Sequence, residues 1–274
     1  MSGKIYINEA DKTASIIKEV VEHVVPLDDF LKAIGNSFGV NIPVCPENTK
    51  GIVTGKNNSI FVVECAPSRR YMHYVWDPAN KATRQFHLNI PWTYLFVCLQ
   101  NNPVLIEKVG IAFSATRVMS SDAKIGYMAL PNADYEDDLG IGYVCLGEVS
   151  IKIGKDAEKS LPLTVNEIIS KIWSSPFNHD LIKPDLFGVH PITEFQKSNG
   201  YLEHCKEQLK ESKGTPEEAY WKLVAGNQIL NYLQAWHELS NEMVMADFLD
   251  KVELKKVIPY DKTLSNFMSE YMVD

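Results

Sequence analysis

Between Ser59 and Arg117 five apolar runs follow one another: "SIFVVECA", "RRYMHYVW", "QFHLNI", "TYLFVCLQ" and "VGIAFSATRV". Each is rich in β-branched and aromatic residues, and breakers such as "PS", "DPAN" and "NNP" divide them. The gaps are too short to hold the helical crossover that parallel strands require, so the spacing predicts an antiparallel meander. This constrains the fold more than any other feature. After the meander come an acid- and glycine-containing loop with a cysteine, and then helical sequence. That order predicts an α+β architecture rather than alternating β and α units.

The flanks carry weaker signals. "KIYINE" reads as a short strand. Ile16, Ile17, Val20, Val21 and Val24 recur at helical spacing and predict a helix, stopped at Pro26, with a second short helix over "LDDFLKAIG". Thr164-Val165-Asn166-Glu167 reads as a capping box ahead of the stripe Val165, Ile168, Ile169, Ile172 and Trp173. Thr215-Pro216-Glu217-Glu218 reads as another, opening a long helix toward Leu239, with a last helix over roughly Met243 to Lys256. The expected division is an N-terminal strand and helical segment over 1–42, a core over 43–198 and a C-terminal helical extension over 199–274.

Charge narrows the function classes. The chain of 274 residues has a net charge of -8 and no basic block, so it repels phosphate backbones and nucleic acid is not expected as a partner. No apolar run is long enough to span a bilayer and the start lacks a signal-peptide core, so no membrane partner and a cytoplasmic location are expected. Five widely spaced cysteines, with no C-x-x-C, argue against a disulfide framework or a zinc site. The seven histidines make no tight ligand pair, so neither metal nor cofactor is expected.

The stretch "ALPNADYEDDLGIGYVCLGE", Ala129 to Glu148, combines the remaining chemistry. Pro131 holds the residue before it extended, and Asn132 tolerates left-handed backbone. Gly140 and Gly142 are read as allowing a sharp reversal, and Gly147 as leaving space beside Cys145. A fixed amide and a thiol on adjoining limbs of one loop suit acyl transfer through a thioester. Cys145 read blandly is one more small hydrophobe in a strand. Cys65 and Cys98 sit mid-strand as inert core, and Cys45 and Cys205 have no evident role. Asp134, Glu136, Asp137 and Asp138 read as a solvated loop, lacking the alternating ligands of a calcium site. No Lys or Arg lies within six residues of Cys145; the nearest are Lys124 and Lys152.

Leu130-Pro131-Asn132 followed by Gly142-Tyr143-Val144-Cys145-Leu146-Gly147 resembles the active-site segment of ubiquitin-conjugating enzymes. There a His-Pro-Asn tripeptide precedes a Gly-x-Ile/Val-Cys-Leu stretch carrying the thioester cysteine. "CPENTKGIVTGKNNSIFVVECAPSRRYMHYVW" and "KIWSSPFNHD" resemble segments of the PRTRC system protein B family, described as prokaryotic and ubiquitin-conjugating-like. The resemblance covers roughly Pro43 to Asp180 and implies an antiparallel meander flanked by helices. It implies that Cys145 holds a ubiquitin-like protein as a thioester, received from an activating enzyme and passed to an amine. Asn132 would support the oxyanion and His179 would act as acid or base. Two other readings stand beside it. One is a non-catalytic scaffold of the same fold in a plasmid- or phage-borne complex, docking a partner through Trp221, Tyr232 and Trp236. The other is a cysteine hydrolase built on Cys145, His179 and Asn178 or Asp180.

Overall fold

A computed structural model of the chain describes residues 4–8, 13–17, 21–26, 48–54, 58–77, 79, 81–101, 104–119, 125–136, 141–145, 151–152, 157–178, 191–252 and 254–256. The first segment forms three strands, β1 (Lys4–Asn8), β2 (Thr13–Ile17) and β3 (Val21–Pro26), in an antiparallel sheet of their own. Ile16 pairs with Ile5 on one side and His23 on the other. The helix expected over Ile16 to Val24 is therefore replaced by a strand pair. Its apolar residues are all β-branched, and these lose side-chain freedom in a helix but pack well in a sheet. Ile16 and Ile17 fall in β2 and Val21 and Val24 in β3, so the spacing arises from two strands without a helix. The short helix expected over "LDDFLKAIG" lies outside the described residues.

Six further strands follow: β4 (Thr49–Thr54), β5 (Asn58–Cys65), β6 (Ser68–Asp77), β7 (Ala82–Ile90), β8 (Trp92–Asn101) and β9 (Val104–Ser114). All five strands expected between Ser59 and Arg117 are present and antiparallel, but they are not a simple meander. β5 pairs with β8, from Asn58 opposite Gln100 to Cys65 opposite Thr93. β6 and β7 pair only with each other as a separate hairpin. The cause lies in the side chains. β5 and β8 are apolar on both faces: Phe61, Val63, Leu95 and Val97 enter the main core, while Ile60, Val62, Tyr94 and Phe96 enter a smaller cluster on the reverse side. Strands of that kind belong in the middle of a covered sheet. β6 instead alternates, with Met72 and Tyr74 buried and Tyr71 and His73 exposed, so it covers a sheet better than it joins one. Pro67 and Pro91 stand on either side of the hairpin base, where Ser68 opposes Ile90.

The sheet is completed by short strands: β10 (Gly126–Tyr127), β11 (Ala133–Glu136), β12 (Ile141–Val144) and β13 (Ile151–Lys152). Its main order is β11-β12-β9-β8-β5-β4, and the long β9 also takes β13 and β10 along its outer side.

Six helices are found among the described residues. The first three are α1 (Ala157–Ser174), α2 (Pro191–Ser198) and α3 (Tyr201–Glu211). α4 (Glu217–Gly226), α5 (Gln228–Glu242) and α6 (Met245–Lys251) follow, and β14 (Lys255–Lys256) pairs with β10. None of the described helices is long and apolar enough to cross a membrane. α1 buries Val165, Ile168, Ile172 and Trp173 of its expected stripe and leaves Ile169 half-buried, but it starts at Ala157, so Thr164 is a buried interior residue and not a cap. The second box does open a helix: Glu217 N donates to Thr215 Oγ1 at 3.3 Å and Gly214 N to the Glu218 carboxylate at 2.7 Å. The single long helix expected from it is broken at Gly226. Asn227 starts α5 afresh, its Oδ1 accepting from Ile229 N at 2.9 Å and Leu230 N at 3.3 Å. The last helix is also shorter than expected, ending at Lys251.

α5 closes the outer edge of β7 with side chains. His87 N donates to His237 Nδ1 at 2.9 Å, Asn89 N donates to Ser240 Oγ at 2.8 Å, and Trp236 Nε1 donates to Asn89 O at 3.1 Å. An edge strand is thus satisfied without another strand. Trp221, Tyr232 and Trp236, the aromatics of the scaffold reading, are all buried in this shared core. They have no outward face with which to dock a partner.

His237 must be neutral to accept from His87. Burial is the largest cause and holds its imidazole below the ordinary value; the His87 backbone contact opposes this, while the charges of Arg69 and Arg84 reinforce it. A depressed base contributes stability that is complete above its unfolded pKa and lost as pH falls below about 6.5. Urea midpoints should therefore drop between pH 7.5 and 5.5, and His237→Gln should show a smaller drop. Equal drops in the two proteins would rule His237 out as the source.

Candidate functional site

Met128, Ala129 and Leu130 are buried and anchor the chain as it leaves β10. The next four residues turn sharply: Ala133 N donates to Leu130 O at 3.3 Å, and Asn132 has φ 64°. Proline at the second position and positive φ at the third fit a type II turn, where Asn is among the few tolerated residues. β11 and β12 then form a hairpin in which Ala133 opposes Val144 and Glu136 opposes Ile141. The hairpin absorbs most of the twelve residues between Asn132 and Cys145. As a result Cys145 N donates to Asn132 O at 2.8 Å, and the two candidate residues face each other across the hairpin base.

Gly142 lies within β12, opposite Ile111 of β9. A Cβ there would stand 3.2 Å from Ile111 Cγ2 and 3.5 Å from the Ala133 side chain. It serves close approach of strands, in place of the reversal expected of it. Gly140 and Gly147 lie outside the described residues, as do Asp137 and Asp138.

Cys145 is the first residue past β12, and its side chain is exposed. Among the other described cysteines, Cys98 and Cys205 are buried and Cys65 is half-buried. Burial raises the Cys65 and Cys205 thiols, which keeps them protonated and inert. Cys45 lies outside the described residues. Among the described residues no group of three His, Cys, Asp or Glu side chains is placed to hold a metal ion.

The Asn132 side chain turns to a third segment, part of the "KIWSSPFNHD" stretch, in a contact that the sequence alone did not foretell. Its Nδ2 donates to Pro176 O at 3.2 Å and its Oδ1 accepts from Asn178 N at 3.0 Å. Between those contacts Phe177 is buried and bridges β6: Phe177 N donates to His73 O at 2.6 Å and Val75 N donates to Phe177 O at 2.8 Å. The segment after α1 is therefore clamped on both sides. One Asn132 amide hydrogen is used in the clamp. His179, the candidate acid or base, comes directly after it in sequence but lies outside the described residues, as does Asp180. The proline that ends α1 in "SSPFN" was the available signal for an extended segment here.

Asn132→Ala should lose both clamp contacts and strain the left-handed backbone, costing about 2 kcal/mol. Asn132→Gly should cost about 1 kcal/mol, since only the clamp is lost. Hydrogen exchange at the Asn178 amide should quicken in both; unchanged protection would show that the amide is not held by Asn132.

Compared with known proteins, the chain matches no family model, no curated protein and no solved structure.

Proposed function

We propose that the protein carries a ubiquitin-like modifier as a thioester on Cys145 and transfers it to an amine. The observation that carries this reading is the exposed Cys145 at the hairpin base, with its backbone bonded to Asn132 of the Pro-Asn turn. In the first step the Cys145 sulfur attacks the thioester of the activating enzyme; a new carbon–sulfur bond forms and the donor thiol leaves. In the second an amine attacks the carbonyl, the amide forms and Cys145 is released as thiol. The second amide hydrogen of Asn132 is the candidate donor to the oxyanion, and His179 the candidate proton acceptor. The motif resemblance to the PRTRC system protein B family points the same way. On this reading β4, β5, β8 and β9, which lie side by side in chain order, are a ubiquitin-conjugating-like sheet carrying the β6–β7 hairpin as an insertion.

The test is incubation with a cognate activating enzyme and modifier, followed by electrophoresis with and without reductant. The expected result is a reductant-sensitive adduct in wild type and none in Cys145→Ala. An adduct of equal yield in Cys145→Ala would end the proposal. A Cys145 thiol protected from alkylation until the protein unfolds would favour the scaffold of the same fold.

A further inference from the structure

Where the inner face of β6 meets the end of α1, three hydrogen-bond donors gather without an acceptor. Alternation along the strand turns Arg69 and Tyr71 outward and puts Ser68 and Arg70 on the same face as buried Met72 and Tyr74. The Arg70 guanidinium lies over the Trp173 ring, with Cζ 5.1 Å from the ring centroid. Trp173 is 8% exposed. Its indole Nε1 and the Ser68 Oγ are both closed off from solvent and have no hydrogen-bond partner.

Arg70 makes no ion pair among the described residues. Stacking occupies the face of a guanidinium and leaves its N–H edge available. Glu64, the nearest carboxylate in sequence, is taken up by Lys50, Arg117 and Tyr94. The stacked pair sets a fixed positive charge beside an indole N–H, and Ser68 stands two residues from Arg70 on the same strand face. Buried donors in native proteins are nearly always paired, so two together beside an unpaired arginine point to an absent acceptor. A group offering several lone pairs and a negative charge matches all three at once.

We propose that Ser68, Arg70 and Trp173 form a binding site for a small oxyanion, separate from Cys145. The ligand chemistry is that of a carboxylate or a phosphate. The full-length protein is melted in phosphate, in acetate and in chloride at matched ionic strength, with concentrations up to about 50 mM. The site predicts a saturable rise of about 2 °C or more over chloride with one of the two oxyanions, which then identifies the class. Arg70→Gln removes the charge, and Trp173→Phe keeps a ring for stacking but deletes the N–H. Both should abolish the increment whatever they do to the starting melting temperature. A rise that survives either substitution, or no rise above chloride with either oxyanion, overturns the assignment.

Discussion

Trp236→Ala should destabilise the protein by about 4 kcal/mol, measured as a shift in the urea midpoint at constant slope. Trp236 is fully buried and among the largest such side chains. It stacks edge-on with Tyr232 at 5.7 Å between centroids and donates to Asn89 O. Truncation leaves a cavity between α5 and the β6–β7 hairpin and deprives the β7 edge of one partner. Trp236→Phe keeps most of the volume and loses only the N–H, so about 1 to 2 kcal/mol is expected. The amides of His87 and Asn89 should lose hydrogen-exchange protection in the alanine variant, since α5 is what covers them. Retained protection at Asn89 would mean that the hairpin edge does not depend on α5.

Glu64→Gln should cost about 3 kcal/mol, because it leaves cations without their anion. The carboxylate is buried at 5% exposure and meets Lys50 Nζ at 3.4 Å, Arg117 Nη2 at 3.0 Å and the Tyr94 hydroxyl at 3.2 Å. Tyr94 in turn accepts from Val118 N at 2.7 Å, so the cluster ties the segment after β9 to the reverse face of the sheet. Burial, first of several causes, pushes the Tyr94 hydroxyl up to about 12, so it remains a donor to Glu64. Arg117 is half-exposed and regains some hydration, which keeps the expected loss at the lower end. Replacing Glu64 with Leu together with Lys50→Met and Arg117→Met should recover much of it, since no charge is then stranded. A triple variant as unstable as Glu64→Gln would point to packing in place of charge.

The helix expected at Ile16 to Val24 and the cap expected at Thr164 are both absent, for one reason. Apolar spacing alone does not say whether residues four apart share a helix face or lie on two strands, and a Thr-x-x-Glu pattern recurs inside helices. By contrast the Asn227 cap and the Pro-Asn turn act within three residues and depend on nothing distant. The break between α4 and α5 has a local signal of that kind, a capping asparagine directly after Gly226.

The amino-acid sequence by itself determined the strands from β5 to β9, the buried stripe of α1, the start of α4 and the turn at Pro131-Asn132. Each of these is governed by backbone preference and side-chain pattern over a few residues. Only the tertiary structure decided that β5 pairs with β8, that Asn132 clamps Pro176 to Asn178, and that Trp236 seals the edge of β7. Those choices depend on which faces lie dry once the whole chain has packed, and burial is a property of the assembled core that no local window contains.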